Sequence, residues 1–360
     1  MSPPARSGEA LREGVVKALA PVAAAALALG VAALLLGLLG YAPLPALRAL
    51  AVGAFGSSAA WTATLLKAAP LLLTGLAVAL AFRCGVWNIG AEGQLYAGAL
   101  LATALATRVA PEDAGDWLAP AVLLAGAVGG ALPGALAGWL RASRGVSEVI
   151  STILLNFVAI QLVAFAIQGP LQEAPRAYPQ SDPFPAGALL PSLGRLHVGI
   201  PLAVACAIAV HLLLTRTALG FRLRAVGLSP VAARFAGLSP ERLGTLALTL
   251  AGSLAGLAGA AEIAGITGRL YDGLSPGTGY TAIAVALLAR LSPLAVIPSA
   301  LFFGALASGA GAMQRDAGVP SVATQVVQAL VILLSIGFAL GPPALRRGRA
   351  ARSAAAAPGA

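Results

Sequence analysis

The stretch "AVLLAGAVGGALPGALAGWLRASRGVSEVISTILLNF", Ala121 to Phe157, carries two apolar runs parted by a short gap holding Arg141 and Arg144. Neither run alternates apolar and polar residues with period two, so a barrel strand is excluded. With its apolar flanks, each run reaches the roughly 20 residues a helix needs to cross a bilayer. Hydrocarbon offers no partner to backbone N–H and C=O groups, so a crossing segment has to satisfy them within itself, as a helix does. The stretch therefore reads as two membrane helices joined on the side of the membrane that retains arginine.

The same reading extends along the chain. Of 360 residues, 59% are apolar and 10% are charged, against about 45–50% and about 25% in soluble domains. One soluble core cannot hide that excess, and the sequence predicts an all-α, polytopic helical membrane protein. The expected spans are 16–40, 61–83, 92–107, 118–140, 147–168, 198–215, 241–266, 277–290, 293–312 and 321–340, ten in all. A tail of residues 1–15 precedes the membrane domain 16–340, and a basic tail 341–360 comes after it. The run after Arg6, Arg12 and Lys17 reaches to about Gly40, too long for the core of a signal peptide, so it reads as an uncleaved first span.

The formal net charge is +10, but the basic residues sit in gaps between apolar segments. They form no stripe interleaved with aromatics, which argues against nucleic acid as a partner. They orient the spans instead. Arg141 and Arg144, then Arg216, Arg222, Arg224, Arg234 and Arg242, then Arg346, Arg347, Arg349 and Arg352 are each separated by an even number of crossings. Ten spans with both termini cytoplasmic satisfy all three groups, and Arg83 falls on the same side. Segments 41–60, 108–117 and 169–197 lie opposite. The last holds six prolines between Pro170 and Pro191, together with Glu173 and Asp182, and reads as an extended, solvated segment, either a linker or a contact for an external partner. Cys84 and Cys206 show no CxxC or Cys/His spacing, so neither a disulfide framework nor a metal site is expected.

Small residues recur at four-residue spacing, Gly130, Gly134 and Gly138 in one span and Gly252 and Gly256 in another, which lets helix backbones approach closely. Pro133 removes one backbone donor inside the first of these spans.

Polar residues inside such a chain require a reason. "WNIGAEGQL", Trp87 to Leu95, sets Asn88, Glu92 and Gln94 among Gly85, Gly90 and Gly93. Uncovered backbone and a carboxylate are tolerated at membrane depth only against protein or a water-filled path; an ordinary turn with Glu92 in the first helical turn fits equally. In "GVSEVISTILLNF", Ser147 is a suitable N-cap, and Glu148, Thr152 and Asn156 share one helix face over about 12 Å. That stripe either lines a path or bonds packed helices. Glu262, Gln325 and Gln328 are further intramembrane polar residues.

"GLSPVAARFAGLSPERLG", Gly227 to Gly244, gives Gly-Leu-Ser-Pro twice within and around the segment 220–240 that comes after the sixth span. Ser229 and Pro230 suit the first positions of a short helix through Phe235, Gly237 suits its end, and Ser239 with Pro240 restarts the chain. So short a helix cannot stand alone in water. It requires a partner surface, or else it lies flat at the lipid headgroups.

"FRCGVWNIGAEGQLYAGA", "GVSEVISTILLNFVA", "GFRLRAVGLSPVAARFAGLSPERL" and "GYTAIAVALLARLSP" are collinear across roughly residues 60–340. Together they resemble the permease subunits of bacterial ABC importers for nucleosides and simple sugars, within the branched-chain amino acid and ribose permease superfamily. The chain is most similar to the longer of two paired permease subunits. The resemblance implies a bacterial inner-membrane location, a second permease subunit, a periplasmic or lipid-anchored substrate-binding protein outside, and an ATPase subunit inside. It also implies a coupling helix docked on that ATPase, carried here by Arg222, Arg224, Gly227, Ala232, Ala233, Arg234 and Gly237. Asn88, Glu92 and Gln94, with Glu148, Thr152 and Asn156, would then lie in or beside the translocation path. Trp87 stands where the family pattern has Phe, and Leu228 and Val231 replace more polar residues.

The resemblance further implies that the chain is no enzyme and binds no cofactor, with ATP and Mg used by the partner. The residues agree: the lysines are Lys17 and Lys67, each followed by Ala, so no GxxxxGK[ST] phosphate loop can form. An ion-gradient-driven transporter of small polar solutes is the alternative, but no clear inverted repeat is visible. An intramembrane enzyme would need chemistry to accompany His197 or His211, and neither a GxSG-like turn nor an HExxH site does so. Nucleosides rank ahead of simple sugars as the expected solute.

Overall fold

A computed structural model of the chain describes residues 26–334 other than 28, 321, 324, 327, 328, 331 and 332. The two tails, the start of the 16–40 span, the end of the 321–340 span and Gln328 lie outside the described residues. The chain divides into a larger unit, Ala51–Gly309, and a smaller one made of its ends, Met1–Leu50 and Ala310–Ala360.

Among the described residues, six helices are long and apolar enough to cross a membrane: α3 (Ser58–Arg83), α5 (Leu118–Arg144), α6 (Glu148–Ile167), α7 (Gly199–Arg216), α10 (Pro240–Glu262, continued by a π-helical turn to Thr267) and α12 (Pro293–Asp316). They correspond to six of the ten expected spans. Two others form as shorter helices, α4 (Ala91–Ala106) and α11 (Thr278–Leu288). At 1.5 Å per residue these measure about 24 Å and about 17 Å, less than the ~30 Å hydrocarbon core. The cause is local: each comes after a non-helical stretch loosened by glycine, with Gly85 before α4 and Gly268, Gly273 and Gly277 before α11 all at positive φ.

Three elements go beyond the sequence expectation. Segment 41–60, expected as a loop, contains α2 (Pro43–Phe55), which comes after α1 (Leu29–Leu38). Helix α8 (Ala218–Leu228) starts directly after α7, because Thr217 turns extended and its hydroxyl accepts the Gly220 N–H at 3.0 Å. A two-stranded hairpin, β1 (Ser192–Leu193) with β2 (Leu196–His197), closes the proline-rich segment. The short helix α9 (Pro230–Phe235) comes directly after α8.

That proline-rich segment is folded, not an extended solvated linker. Ser181 N–H donates to Leu270 O (2.7 Å), Phe184 N–H to Gly268 O (2.8 Å) and Leu190 N–H to Ala264 O (2.8 Å). It thus runs antiparallel to residues 264–270 at the end of α10, and Ser181, Phe184, Ala188 and Leu190 are buried. Pro183 and Pro185 flank Phe184, so the residues lacking a donor are those that face away from this pairing.

The core of the larger unit is a seam of backbone against backbone. The glycines of α5 meet those of α10 as their spacing predicts: a methyl group on Gly130 would lie 2.5 Å from Gly256 Cα, and one on Gly138 2.6 Å from Thr245 Cα. Helix α4 joins the seam through Gly98, where a methyl group would lie 2.6 Å from the Gly256 carbonyl carbon. With no hydrophobic force between helices in lipid, such close approach gains van der Waals contact and Cα–H···O bonds. Pro133 is accommodated inside α5.

Candidate functional site

The residues singled out in WNIGAEGQL and in the α6 stripe come together. Asn88 and Gln94 pair their amides reciprocally, at 2.9 Å and 3.1 Å, and Asn88 Oδ1 also accepts the Gly90 N–H at 3.0 Å. This closes residues 88–94 into a fixed turn at the head of α4. Asn156 reaches across from α6: its Oδ1 accepts the Gly93 N–H (2.8 Å), while Nδ2 donates to Ile89 O (2.9 Å) and to the Tyr280 hydroxyl (3.4 Å). Backbone groups that no helix can satisfy are thereby satisfied by one side chain. The Thr152 hydroxyl donates back to Glu148 O at 2.6 Å. Glu148 pairs with Arg141 (3.2 Å) and accepts the Trp87 N–H (3.4 Å), tying the break to the end of α5. Ser147 occupies the N-cap position of α6 without a side-chain bond to the helix.

Glu92 faces the other short helix. Its Oε2 accepts the Gly279 N–H at 2.5 Å. The N-termini of α4 and α11 therefore meet on one carboxylate, the charge that two converging positive helix ends favour. A methyl group on Gly279 would lie 2.5 Å from Glu92 Cα, so only glycine permits this joint. The Tyr96 hydroxyl fastens the approach to α11 by accepting the Ser275 N–H at 3.1 Å. Asn88, Glu92, Gln94, Thr152 and Asn156 are all buried within the protomer.

Sequence reasoning does not assign Ser275, Gly279 and Tyr280. For Gly279 and Tyr280 the signal is the GYTAIAVALLARLSP stretch, which belongs to a recognisable pattern but carries no stated role; Ser275 lies outside it.

The segment 220–240 forms as its punctuation predicts. Ser229 Oγ accepts the Ala232 N–H (3.2 Å), Pro230 opens α9, Gly237 adopts φ +77°, and Ser239 Oγ accepts the Arg242 N–H (3.3 Å) at the start of α10. Arg234 closes the turn onto Glu241. Ala233 is buried on the inner face of α9, whereas Arg222, Ala232, Arg234 and Gly237 are exposed and Arg224 is half-buried with its Nε on Gly220 O (3.4 Å). Three bulky apolar side chains point away from the protein: Leu228 is 88% exposed, Val231 64% and Phe235 90%.

Gly227, unlike Leu228, faces inward. A methyl group there would lie 2.9 Å from the Arg83 carbonyl carbon and 3.1 Å from that of Cys84. Helix α8 thus rests on the turn that leads from α3 into WNIGAEGQL. Arg83 Nε donates to Leu291 O at 3.0 Å, and Arg290 and Leu291 form a left-handed turn with φ 50° and 58°. One junction therefore gathers the segment 220–240, the lead into α4 and the end of α11. Arg290 and Leu291 lie in the same GYTAIAVALLARLSP stretch, which again marks them without a stated role.

Of the two histidines, His197 lies in β2, and its Nδ1 accepts the Gly199 N–H at 3.1 Å. Burial lowers its pKa from 6.5. His211 is half-buried on α7.

The sequence pattern of the family described as the permease component of the branched-chain amino acid transport system matches residues 60–336. A glucose ABC transporter permease of Haloferax volcanii is 39% identical over 329 residues, covering 88% of this chain and 86% of the relative. A guanosine ABC transporter permease of Bacillus subtilis is 34% identical over 335 residues (90% and 95%), and a nucleoside ABC transporter permease of Lactococcus lactis 32% over 334 residues (89% and 92%).

Proposed function

The chain belongs to the permease family of the branched-chain amino acid transport system, and from that premise we propose how its geometry serves transport. It is the membrane-spanning permease subunit of an ATP-driven importer of nucleosides or simple sugars, a transport component and not an enzyme. That assignment sets aside the ion-gradient-driven alternative. ATP and Mg are used by a separate ATPase subunit docked inside, the solute is delivered by a substrate-binding protein outside, and a second permease completes the path across the bacterial inner membrane.

The observation that carries the coupling role is the exposed apolar ridge of Leu228, Val231 and Phe235 on and beside a helix of six residues. Such a helix is held by its caps and not by its length. Bulky apolar groups rimmed by Arg222 and Arg234 suit a protein groove with acidic walls. In this reading α9 seats in the ATPase and Gly227 passes its displacement to the Arg83–Gly85 turn. From there the movement reaches the α4–α11 joint at Glu92 and Gly279. The buried cluster of Asn88, Glu92, Gln94, Thr152 and Asn156 acts beside the path, holding two short helices as one piece.

Crosslinking tests the docking. Cys84 is buried, and burial pushes its thiol pKa up to about 11, so it stays unreactive at neutral pH. Phe235→Cys should crosslink to the ATPase subunit in membranes, with a yield that changes on adding ATP. A Phe235→Cys protein that assembles yet crosslinks only to lipid-linked probes would overturn the reading.

A further inference from the structure

Residues 173–180 of the proline-rich segment have no part in the coupling segment or in the buried cluster. The chain that comes after them pairs with residues 264–270 at the end of α10. Helix α10 opens at Pro240, beside α9, and closes at Glu262; its rise sets these ends roughly 33 Å apart, more than the ~30 Å hydrocarbon core. The loop therefore stands clear of the membrane on the side away from α9. Six consecutive residues of it, 174–179, are exposed.

The loop is closed by its own hydrogen bonds. Glu173 N–H donates to Gln180 O (2.8 Å), Arg176 N–H to Glu173 O (2.9 Å) and Gln180 N–H to Tyr178 O (2.9 Å). The buried Glu173 side chain fills its middle: Oε1 accepts the Tyr178 N–H at 3.0 Å, Oε2 accepts from Gln180 Nε2 at 2.6 Å, and Arg269 Nη1 lies 3.8 Å from Oε2. Asp182 Oδ1 accepts the Ala174 N–H at 3.0 Å. Pro175 and Pro179 have no N–H to place and hold their own φ. With these backbone donors satisfied inside the loop, what it offers to the outside is side chains.

Arg176 sits at the tip in left-handed backbone, φ 53°; among the described residues Arg290 and Leu291 are the other non-glycine residues at positive φ. Such outliers persist where the surrounding structure imposes them, and they concentrate at contact and switch sites. The Arg176 side chain makes no hydrogen bond or ion pair among the described residues. Two residues on, Tyr178 is 66% exposed. Arginine and tyrosine dominate binding at protein interfaces, and a rigid display lowers the ordering cost of docking. A neighbouring loop has the opposite sign. Residues 114–115 pack on Gly187, where a methyl group would lie 2.7 Å from the Ala114 carbonyl carbon, and Glu112, Asp113 and Asp116 beside them are exposed. An anionic lipid surface drawn to Arg176 is repelled by these carboxylates, whereas a folded protein can match both signs and take its register from them.

We propose that residues 173–180 are a preformed docking loop for the solute-delivering protein outside the membrane, which meets Arg176 with a carboxylate and Tyr178 with an apolar recess. The inference rests on the importer reading and its orientation. Arg176 and Tyr178 make the contact, and Glu173 is a positioning residue. The loop is fastened to the chain after α10 by the pairing of Gln180 with Tyr271 and by Arg269 beside Glu173. A docked partner therefore bears on the end of α10, the helix whose beginning comes directly after α9.

The test is binding of the transporter's own substrate-binding protein, fluorescently labelled, to the complete assembly in nanodiscs of phosphatidylcholine alone or mixed with phosphatidylglycerol. ATP-dependent uptake by the wild-type assembly in proteoliposomes is measured alongside. Arg176→Asn removes the charge yet suits left-handed backbone; it should raise Kd at least ~10-fold and flatten the dependence on salt, with amide exchange across residues 173–180 unchanged. Tyr178→Ser should raise Kd by a similar factor. Glu173→Gln should weaken binding and also speed amide exchange at Tyr178 and Gln180, the mark of lost positioning. Arg195→Asn, at an exposed position of the same segment, should stay within about twofold of wild type. A Kd within about twofold of wild type for either contact variant, or an equal loss in Arg195→Asn, overturns the docking loop and leaves the importer reading intact. A loss confined to nanodiscs containing phosphatidylglycerol does the same and assigns Arg176 to lipid. Absence of ATP-dependent uptake by the wild-type assembly overturns both.

Discussion

Gly227→Ala tests the link between the coupling segment and the membrane helices. The added methyl group would lie 2.9 Å from the Arg83 carbonyl carbon and 3.1 Å from that of Cys84, with the Arg83 carbonyl oxygen nearer still, whereas ordinary contact begins at 3.4 Å. All three neighbours are backbone atoms, so no side chain can rotate away. Helix α8 has to lift from the turn by about half an ångström or more, and overpacking of this kind costs about 1–3 kcal/mol. If that strain falls on one state of the transport cycle, the coupling between ATP use and solute movement drops about 5- to 150-fold. ATP hydrolysis and uptake should be measured together in proteoliposomes, with Ala236→Ser, on the exposed side of the same segment, as control. The expected outcome is a monodisperse assembly that hydrolyses ATP within about twofold of wild type but moves at least ~5-fold less solute per ATP. A well-assembled Gly227→Ala protein with an unchanged ratio would refute the argument that this contact transmits movement.

Two further outcomes concern stability. Asn156→Ala removes three hydrogen bonds and strands the buried Gly93 N–H and the half-buried Ile89 C=O; it should cost roughly 2–4 kcal/mol, read as a lower temperature for loss of monodispersity in detergent, and an unshifted temperature would count against the cluster as a lock. His197 has its pKa lowered from 6.5 by burial, so the unfolded hairpin binds more protons than the docked one. The docking of residues 192–199 should hold above about pH 6.5 and weaken as pH falls below it, seen as faster amide hydrogen exchange there that His197→Gln abolishes.

What the sequence disclosed was local. Ser229, Pro230, Gly237, Ser239 and Pro240 state the caps of α9 and α10, because a cap is decided within one turn of backbone. The glycines of α5 and α10 announced a close seam, since four-residue spacing keeps them on one face. Glu148, Thr152 and Asn156 declared their common face in the same way, but nothing in their spacing told whether a path or a neighbouring turn lay opposite. The answer needed Gly93 and Ile89, which only the fold brings there. For α4 and α11 the expected bounds, 92–107 and 277–290, lie within about two residues of the helices Ala91–Ala106 and Thr278–Leu288, because the glycines before each mark where a helix can begin. Proline count misled for residues 169–197, where the missing donors simply fall on the outward side of an irregular pairing.

Helices α4, α5 and α10 meet main chain on main chain at Gly98, Gly130, Gly252 and Gly256, where no side chain intervenes to change rotamer. Sliding one past another would open voids that neither lipid nor water could fill, so these three swing as a single solid. Whatever alternation the protein performs is then confined to the edges of that solid, where residues 84–90 and 268–277 run outside any helix. A change that enlarged any seam glycine would not retune the cycle; it would split the piece that turns.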